Sequence, residues 1–199
     1  MYRKIGKRLL DLVISVLALG IFAPILGFGA VLIRLTSPGP VFFVQNRLGL
    51  HGEVFQLYKF RTMVDRLRTP DHEIMGDDPE LTSIGYWLRR FKLDELPQLF
   101  NVIKGDMSIV GPRPALPSQL PEYDDLARRR LEVRPGLTGL AQVNGNILLS
   151  WSERWQYDAL YVDNLSFWLD IQIIARTVAV VLLGERRFYK RPLTRVKQT

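Results

Sequence analysis

The sequence predicts a mainly α fold with a small β element, an α+β chain, on three observations. The first is an uninterrupted uncharged run, Leu12–Ile33, within the roughly 17–25 residues that a membrane helix needs. The second is a pair of short β-rich segments, 41–45 and 54–60, joined by Gly49–Gly52, which predicts a hairpin. The third is helical patterning elsewhere, which predicts helices at Ile84–Phe91, from Asp94 to about Ile103, at Asp124–Val133 and at Phe167–Leu183.

Composition indicates a chain with concentrated apolar segments and an anionic partner. Of the 199 residues 47% are hydrophobic, and the mean hydropathy is +0.03 although 24% are charged. The net charge of +7 predicts binding to nucleic acid, anionic lipid or a phosphorylated substrate. The chain has no cysteine, which excludes disulfides and thiol chemistry. Its two histidines, His51 and His72, lack the spacing of zinc ligands.

The N-terminal apolar run has features of a re-entrant membrane helix. Lys7 and Arg8 precede it and Arg34 follows it, so the positive-inside tendency holds both ends on the cytoplasmic side. Pro24 near its middle removes a helix hydrogen bond and can bend the helix. These features favour a helix that enters and leaves by one face. A spanning helix remains the alternative, since proline also occurs in spanning helices.

The segment Phe167–Leu183 is a second membrane signal. It is strongly apolar, with Asp170, Gln172 and Arg176 as polar interruptions, and aromatic residues lead into it. Such a helix can lie in the membrane interface as an amphipathic helix. A buried core helix is the alternative interpretation. The basic segment that follows, 185–199, is expected to be a loosely ordered tail.

The acidic pair Asp94–Glu95 is the main candidate for chemistry. Asp94 could simply cap a helix, with Glu95 complementing its dipole. However, Arg89, Arg90 and Lys92 lie within five residues upstream, and a helix N-terminus also attracts phosphate. One carboxylate could attack phosphorus while the other binds a divalent ion such as Mg²⁺ or handles a proton.

Other cations stand beside turn residues and together suggest a polyanion site. Arg113 lies between Pro112 and Pro114, and Arg134 precedes Pro135. A rigid turn fixes where an arginine points, and the planar guanidinium suits phosphate. The chain has no GxxxxGK[ST], GxGxxG or Gly-x-Ser-x-Gly sequence, which disfavours a P-loop, a dinucleotide fold and serine hydrolysis.

Several segments resemble the successive signatures of bacterial sugar transferases, the monotopic phosphoglycosyl transferases that begin glycan assembly on polyprenol phosphate. These segments are Lys59–Met63, Leu93–Val102, Lys104–Ser108, Val110–Pro114, Arg134–Gly139 and Gln142–Gly145. The resemblance extends from the N-terminal apolar helix to about residue 184. It implies a re-entrant helix bent at Pro24 and ping-pong chemistry on a nucleotide-sugar, usually a UDP-sugar.

The resemblance also implies roles for individual residues. Asp94 would attack the β-phosphate, expel UMP and carry the phosphosugar, which then passes to undecaprenyl phosphate. Glu95 would help to hold Mg²⁺, the leaving phosphate or the acceptor. The residues that match family positions in or near the substrate site are Lys59, Arg89, Arg113 and Asp158, with Arg134 as a candidate nucleotide contact. The chain departs from the family at the helix break, where many relatives have serine in place of Ala23. The family also often has other residues at Leu140 and Asn146, near a region involved in substrate choice, so the sugar's identity does not carry over.

Three parts of the chain are therefore expected: 1–36, a basic flank and re-entrant helix; 37–184, a catalytic domain; and 185–199, the basic tail. The expected location is the bacterial inner membrane, with the catalytic domain on the cytoplasmic face. Expected partners are a nucleotide-sugar, polyprenol phosphate and the phospholipid membrane, with a homodimer as a further candidate and no nucleic acid. The alternatives are an ordinary membrane-associated glycosyltransferase that releases UDP and a non-catalytic basic binding module.

Overall fold

The computed structural model describes residues 2–63 and 81–190. Its helices, in chain order, are α1 Lys7–Thr36, α2 Ser83–Arg90, α3 Gln98–Lys104, α4 Asp125–Arg128, α5 Trp151–Asn164 and α6 Phe167–Leu183. Its strands are β1 Phe42–Leu48, β2 Val54–Phe60, β3 Ser108–Val110 and β4 Gly136–Thr138. A π-helical turn, Tyr2–Gly6, precedes α1, and short 3₁₀ turns connect several elements. The mainly α fold with a small β element and a long apolar N-terminal helix is confirmed.

The predicted hairpin is confirmed. Strands β1 and β2 pair antiparallel, from Phe42 opposite Phe60 to Leu48 opposite Val54. Because side chains alternate between the faces of a strand, Leu57 and Lys59 share one face of β2. Leu57 is buried in the core, so this register sets the direction in which Lys59 projects at the end of the strand.

A second pair of strands was not predicted. Strands β3 and β4 run parallel, with Ser108 opposite Gly136 and Val110 opposite Thr138. The sequence instead indicated an irregular loop over 105–121, because strands of three residues are too short to show alternation. A Cβ at Gly111 would overlap the backbone of Arg134 and Gly136. This close approach fixes the loop that follows β3 against the segment around β4.

The main core lies between β2, α3, β3, α5 and α6. It contains Phe55, Leu57, Leu99, Val102, Met107, Ile109, Val110, Val133, Val143, Tyr161, Val162, Ile173 and Val180. A smaller cluster of Leu48, Ala115, Tyr123 and Ala127 joins the hairpin to the segment around α4. Removing this much apolar surface from water is the main source of stability for the fold.

The start of the helix predicted from Asp94 is wrong. Residues Leu93–Glu95 form a 3₁₀ turn, and α3 begins only at Gln98, with Pro97 at its N-cap. Pro97 has no N–H to donate to the Leu93 carbonyl, which instead accepts from Leu96 at 3.3 Å. Asp94 therefore does not cap α3, and its carboxylate accepts no hydrogen bond from the first turn of that helix.

Helix α1 contacts the rest of the chain at both ends. Near its start, Asp11 is buried and its Oδ1 accepts from Ser108 Oγ and Ile109 N, both at 2.9 Å. Near its end, buried Ile33 clusters with Phe60 and Leu88. The helix is continuous through Pro24, so the chain does not leave the helix there. A bend at Pro24 and a re-entrant path stay predictions.

Helix α6 has the bounds that were predicted, but its acidic residue faces inwards. Asp170 is completely buried and accepts hydrogen bonds from Lys7 Nζ at 2.7 Å, Tyr2 Oη at 2.5 Å and Tyr161 Oη at 2.7 Å. Asp170 thus belongs to the contact with the N-terminal helix rather than to an outward polar stripe. Exposed Trp168 and Leu182 lie on the outer side of the helix; an interfacial position stays a prediction.

Part of the segment expected to be a loose tail packs on the fold. The backbone N–H of Lys190 donates to the Asn144 carbonyl at 2.9 Å. Tyr157 Oη donates to the Lys190 carbonyl at 2.9 Å. Residues 185–190 therefore return to the turn that contains Asn144. The polar segment 64–80, predicted as a loop or ragged helix, and residues 191–199 lie outside the described residues.

Candidate active site

Asp94 and Glu95 lie together in the 3₁₀ turn that joins α2 to α3. Lys92, just before the turn, has φ of 57°, in the left-handed region that non-glycine residues rarely adopt. This reversal carries the chain from α2 into the turn. Asp94 is only 8% exposed, and the Glu95 side chain 12%, so both carboxylates are largely withdrawn from water.

Two cations hold Glu95. Lys59 Nζ lies 3.0 Å from Glu95 Oε1, and Arg113 Nη2 lies 2.7 Å from the same oxygen. Burial alone would raise the pKa of Glu95, but Arg113 and Lys59 outweigh it and hold this pKa well below its ordinary value. Glu95 is therefore an ionised carboxylate in a fixed position at neutral pH.

Asp94 has a different environment although it is the next residue. Within the described ranges 2–63 and 81–190, its carboxylate accepts no hydrogen bond and forms no ion pair. Burial and the adjacent negative charge of Glu95 raise its pKa to about 6, although Lys59, Arg89 and Lys92 oppose that rise. A buried carboxylate without hydrogen bonds, close to cations and ionised above pH 6, suits a nucleophile.

The two cations that hold Glu95 come from separate parts of the fold. Lys59 is near the end of β2, and Arg113 follows β3 in the proline-flanked loop. A recess beside Glu95 is lined by Arg47, Leu57, Lys59, Gln98, Arg113 and Pro114. Burial lowers the pKa of Lys59, with Arg113 acting in the same direction and Glu95 opposing both. The recess therefore places positive charge next to the two carboxylates. Its arginine side chains are of the kind that binds phosphate.

Arg89 approaches the pair from α2. Its Nε donates to Thr62 Oγ1 at 2.9 Å, and its charge lowers the pKa of Asp94. The start of α2 is held on the same residue, because Thr82 N donates to the Thr62 carbonyl at 3.0 Å. A Cβ at Gly85 would overlap that carbonyl. The glycine therefore permits the close approach that brings Arg89 to the site.

Two of the predicted substrate residues lie elsewhere. Arg134 is exposed, and its Nε donates at 2.8 Å to the carbonyl of Gly105, the C-cap of α3. Asp158 is 2% exposed, and its Oδ2 lies 3.1 Å from Arg130 Nη2. Burial raises the pKa of Asp158 to about 6, with Arg130 and Arg154 opposing the rise. A substrate contact of either predicted residue stays a prediction.

Sequence reasoning missed Arg130, which the fold places directly behind Arg113. Arg130 Nη2 donates to the Arg113 carbonyl at 2.7 Å. In the sequence it is the last of three consecutive arginines, Arg128–Arg130. A basic run of this kind is typical of a solvated surface. No local signal in the sequence therefore showed that Arg130, alone among these three arginines, is buried.

A magnesium ion held by Glu95 and shared with a substrate stays a prediction. Mg²⁺ usually takes one or two carboxylates plus substrate phosphates and waters. Among the described residues, Glu95 Oε2 has one long contact, 3.5 Å from Arg113 Nη1, and Asp94 is the adjacent residue. The part of the chain that the structure describes contains no group of three His, Cys, Asp or Glu that could hold a metal ion by itself.

Comparison with known proteins assigns the chain to a family. A family model described as "Bacterial sugar transferase" matches residues 2–184. The chain is 48% identical over 179 residues to an uncharacterized sugar transferase, EpsL, of Bacillus subtilis, covering 90% of this chain and 88% of that protein.

Two further relatives have named activities. A UDP-glucose:undecaprenyl-phosphate glucose-1-phosphate transferase of Caulobacter vibrioides is 41% identical over 195 residues, with 92% of this chain and 72% of that protein covered. A UDP-N-acetylgalactosamine-undecaprenyl-phosphate N-acetylgalactosaminephosphotransferase of Aeromonas hydrophila is 38% identical over 185 residues, covering 89% of this chain. The chain spans only 44% of the length of the Aeromonas protein. By the extent of the family match, this chain belongs to the bacterial sugar transferases.

Proposed function

We propose that the protein transfers a phosphosugar from a UDP-sugar to undecaprenyl phosphate and releases UMP, through a covalent intermediate on Asp94. The observation that carries the proposal is the contrast within the acidic pair. Glu95 is held by Lys59 and Arg113, whereas Asp94 has no hydrogen-bond partner among the described residues. The relatives with named activities both act on undecaprenyl phosphate, with different sugars, which supports the acceptor and leaves the sugar open.

In the first step, an oxygen of the Asp94 carboxylate attacks the β-phosphorus of the UDP-sugar. The bond between that phosphorus and the oxygen bridging to the α-phosphate breaks, and UMP leaves with this oxygen. The product is an acyl phosphate that joins Asp94 to the phosphosugar. Because the nucleophile must be ionised, a pKa of about 6 leaves Asp94 competent at neutral pH.

In the second step, a phosphate oxygen of undecaprenyl phosphate attacks the same phosphorus. The bond from phosphorus to the Asp94 carboxylate breaks, which regenerates the free carboxylate and forms the lipid diphosphate sugar. In both attacks an anionic oxygen approaches a phosphate group that is itself negatively charged. Lys59, Arg89 and Arg113 would offset this charge and stabilise the oxygens of the transferring phosphoryl group.

A Mg²⁺ ion is part of the proposal as a cofactor held by Glu95 and by the substrate phosphates. When bound, it would neutralise negative charge on the diphosphate. Glu95 would bind the ion through Oε2 and stay fixed by Lys59, whose Nζ lies 3.0 Å from Oε1. The role of this side chain is then to hold charge beside Asp94 rather than to react.

We also propose that α1 enters and leaves the membrane by one face, on the cytoplasmic side of a bacterial inner membrane. The helix is the one segment within the described residues that is long and apolar enough to cross a membrane. Its two ends, at Asp11 and Ile33, are both buried against the same body of the protein. The side chains of Leu17, Ile21, Phe28 and Val31 face outwards. They would meet the lipid tails.

The nucleotide product tests the reaction. Purified protein is incubated with a panel of UDP-sugars, Mg²⁺ and undecaprenyl phosphate, and the released nucleotide is separated chromatographically. Release of UMP that requires Asp94 is the expected result. Release of UDP would instead identify an ordinary glycosyltransferase and would contradict the proposal.

Membrane topology is tested separately. A tag placed before Tyr2 should be digested by protease from the same side of sealed vesicles as a tag after residue 199. Protection of the N-terminal tag when the C-terminal tag is cleaved would show a spanning helix and contradict the one-face path.

A further inference from the structure

Arg130 is a buried arginine with three polar partners on different elements. Its Nη1 donates to Tyr123 Oη at 2.9 Å, and its Nη2 donates to the Arg113 carbonyl at 2.7 Å. The Asp158 carboxylate, on α5, forms an ion pair with Arg130, with Oδ2 3.1 Å from Nη2. This oxygen accepts no hydrogen bond within the described residues, so Asp158 acts on Arg130 through charge. The side chains of the ion pair are 5% and 2% exposed. This charge pair is therefore enclosed within the fold, behind the loop that carries Arg113.

Stability alone does not explain such a pair. Removing two charges from water costs several kcal/mol each, about as much as their attraction returns, and apolar replacements of similar volume are often neutral or stabilising. The pair instead fixes the position of the Arg113 backbone, whose carbonyl accepts a hydrogen bond from Arg130. The side chain of Arg113 lies 2.7 Å from Glu95.

The loop around Arg113 depends on such outside contacts because Pro112 and Pro114 contribute no N–H. The Pro112 carbonyl accepts from Gly136 N at 2.8 Å. The Pro114 carbonyl accepts from Arg47 Nη1 at 3.2 Å. Arg130 holds the carbonyl between them. The backbone is thus fixed on both sides of a side chain that is 41% exposed and contacts Glu95.

We propose that Arg130, oriented by Asp158, is a positioning residue that sets Arg113 against Glu95 and the substrate diphosphate. The proposal rests on the proposed function for the identity of the ligand. It assigns Asp158 a role inside the fold, through Arg130, in place of a direct contact with the substrate. Loss of Asp158 then acts on catalysis only by way of Arg113.

A double-mutant cycle tests this dependence. Steady-state nucleotide release is measured at varied UDP-sugar for Asp158→Asn, Arg113→Gln and the double variant. Residues that orient metal ligands from outside typically contribute about 10–100-fold to affinity or activity, and we expect the same range for a residue that orients Arg113. Asp158→Asn should lower kcat/KM by about that factor in the wild-type background. It should have almost no further effect when Arg113 is already Gln, since interacting residues are not additive.

The chain offers a matched control. Arg129 and Asp163 join the same two segments through an exposed ion pair, with Arg129 Nη1 3.0 Å from Asp163 Oδ2. Asp163→Asn removes the same charge from α5 without affecting Arg113, so kcat/KM should stay at the wild-type value. Melting of each variant in the same detergent reports whether the fold persists.

Arg130→Lys covers the case in which Asp158→Asn fails to fold. The ammonium keeps the charge beside Asp158 but cannot reach Tyr123 and the Arg113 carbonyl together. Its melting temperature should fall, because a buried acceptor loses its donor, but the variant should stay folded. At equal folded concentration its kcat/KM should be lower by about 10-fold or more.

Several results would overturn the inference. They are independent, multiplicative losses in the double variant, a wild-type rate for a folded Asp158→Asn, or a wild-type rate for Arg130→Lys. The cycle is measured on whichever nucleotide is released. UDP in place of UMP would therefore refute the proposed reaction while the coupling between Asp158 and Arg113 is still determined.

Discussion

Two buried aspartates, Asp94 and Asp170, show how this fold treats a carboxylate that it uses for structure and one that it leaves for chemistry. Asp170 is completely buried and accepts from Lys7, Tyr2 and Tyr161 at 2.5–2.7 Å. Asp94 is almost as deeply buried, yet it has no hydrogen-bond partner in residues 2–63 and 81–190. Both lie near lysines, so sequence charge alone does not separate them.

The difference indicates where a ligand belongs. A buried charge that is fully hydrogen-bonded stabilises the native arrangement, and removing its partners is costly. A buried charge without hydrogen bonds costs free energy, which a fold tolerates where a substrate or ion supplies the missing interactions. The two aspartates should therefore respond in opposite directions when each loses its charge.

The largest expected effect is on activity. Asp94→Asn should lower turnover by at least about 10³-fold, since removal of a covalent nucleophile costs up to about 10⁶-fold in other enzymes. Asp170→Asn, compared at equal folded concentration, should retain most of the activity. UMP release measured at saturating UDP-sugar distinguishes them, and a fully active Asp94→Asn would refute the nucleophile.

The next effect is on stability at the helix contact. Asp170→Asn removes the carboxylate that pairs with the buried Lys7 ammonium and should cost about 3–5 kcal/mol of unfolding free energy. The exposed pair of Arg129 and Asp163 gives the comparison, because Asp163→Asn should cost only about 0–1 kcal/mol. Denaturant unfolding in one detergent measures both. Equal losses would show that burial of Asp170 does not matter.

Asp94→Asn should change the unfolding free energy in the opposite direction and stabilise the fold. The folded-state pKa is raised from 3.8 to about 6, so the proton favours folding, and this stabilisation is lost as pH rises through 6. Above that pH the ionised carboxylate destabilises the fold by up to about 3 kcal/mol, at about 1.4 kcal/mol per pKa unit. The variant should therefore unfold at a higher denaturant concentration than wild type at pH 8. This difference in stability should disappear below pH 4. A variant less stable than wild type at pH 8 would show that ionised Asp94 stabilises the fold, as Asp170 does, and would contradict the proposed difference between the two aspartates.

The smallest expected effect is a shift in the pH profile. For wild type, kcat/KM should fall as pH drops through about 6, where Asp94 gains a proton. Glu95→Gln removes the neighbouring negative charge that raises the pKa of Asp94 and leaves Lys59, Arg89 and Lys92 to lower it. The acid limb should move to lower pH in that variant, whatever its absolute rate. An unchanged limb would mean that another group titrates.

Sequence predicted the features that local patterns encode. The apolar α1, the β1–β2 hairpin and the bounds of α6 follow from composition and periodicity. The acidic pair stood out only by its upstream cations and its resemblance to family signatures. Residue contacts across long sequence separations were not predictable, such as Arg130 with Asp158 or Lys7 with Asp170. An isolated arginine or aspartate carries no sign of the partner that the fold supplies.

The most direct test of a covalent role for Asp94 is the mass of the intact protein after reaction without acceptor. Protein incubated with a UDP-sugar and Mg²⁺, then quenched in acid, should gain the mass of one phosphosugar, located on Asp94 by peptide mapping. Adding undecaprenyl phosphate before the quench should remove the adduct. Absence of any adduct, with UMP released only when acceptor is present, would show direct transfer and contradict the account.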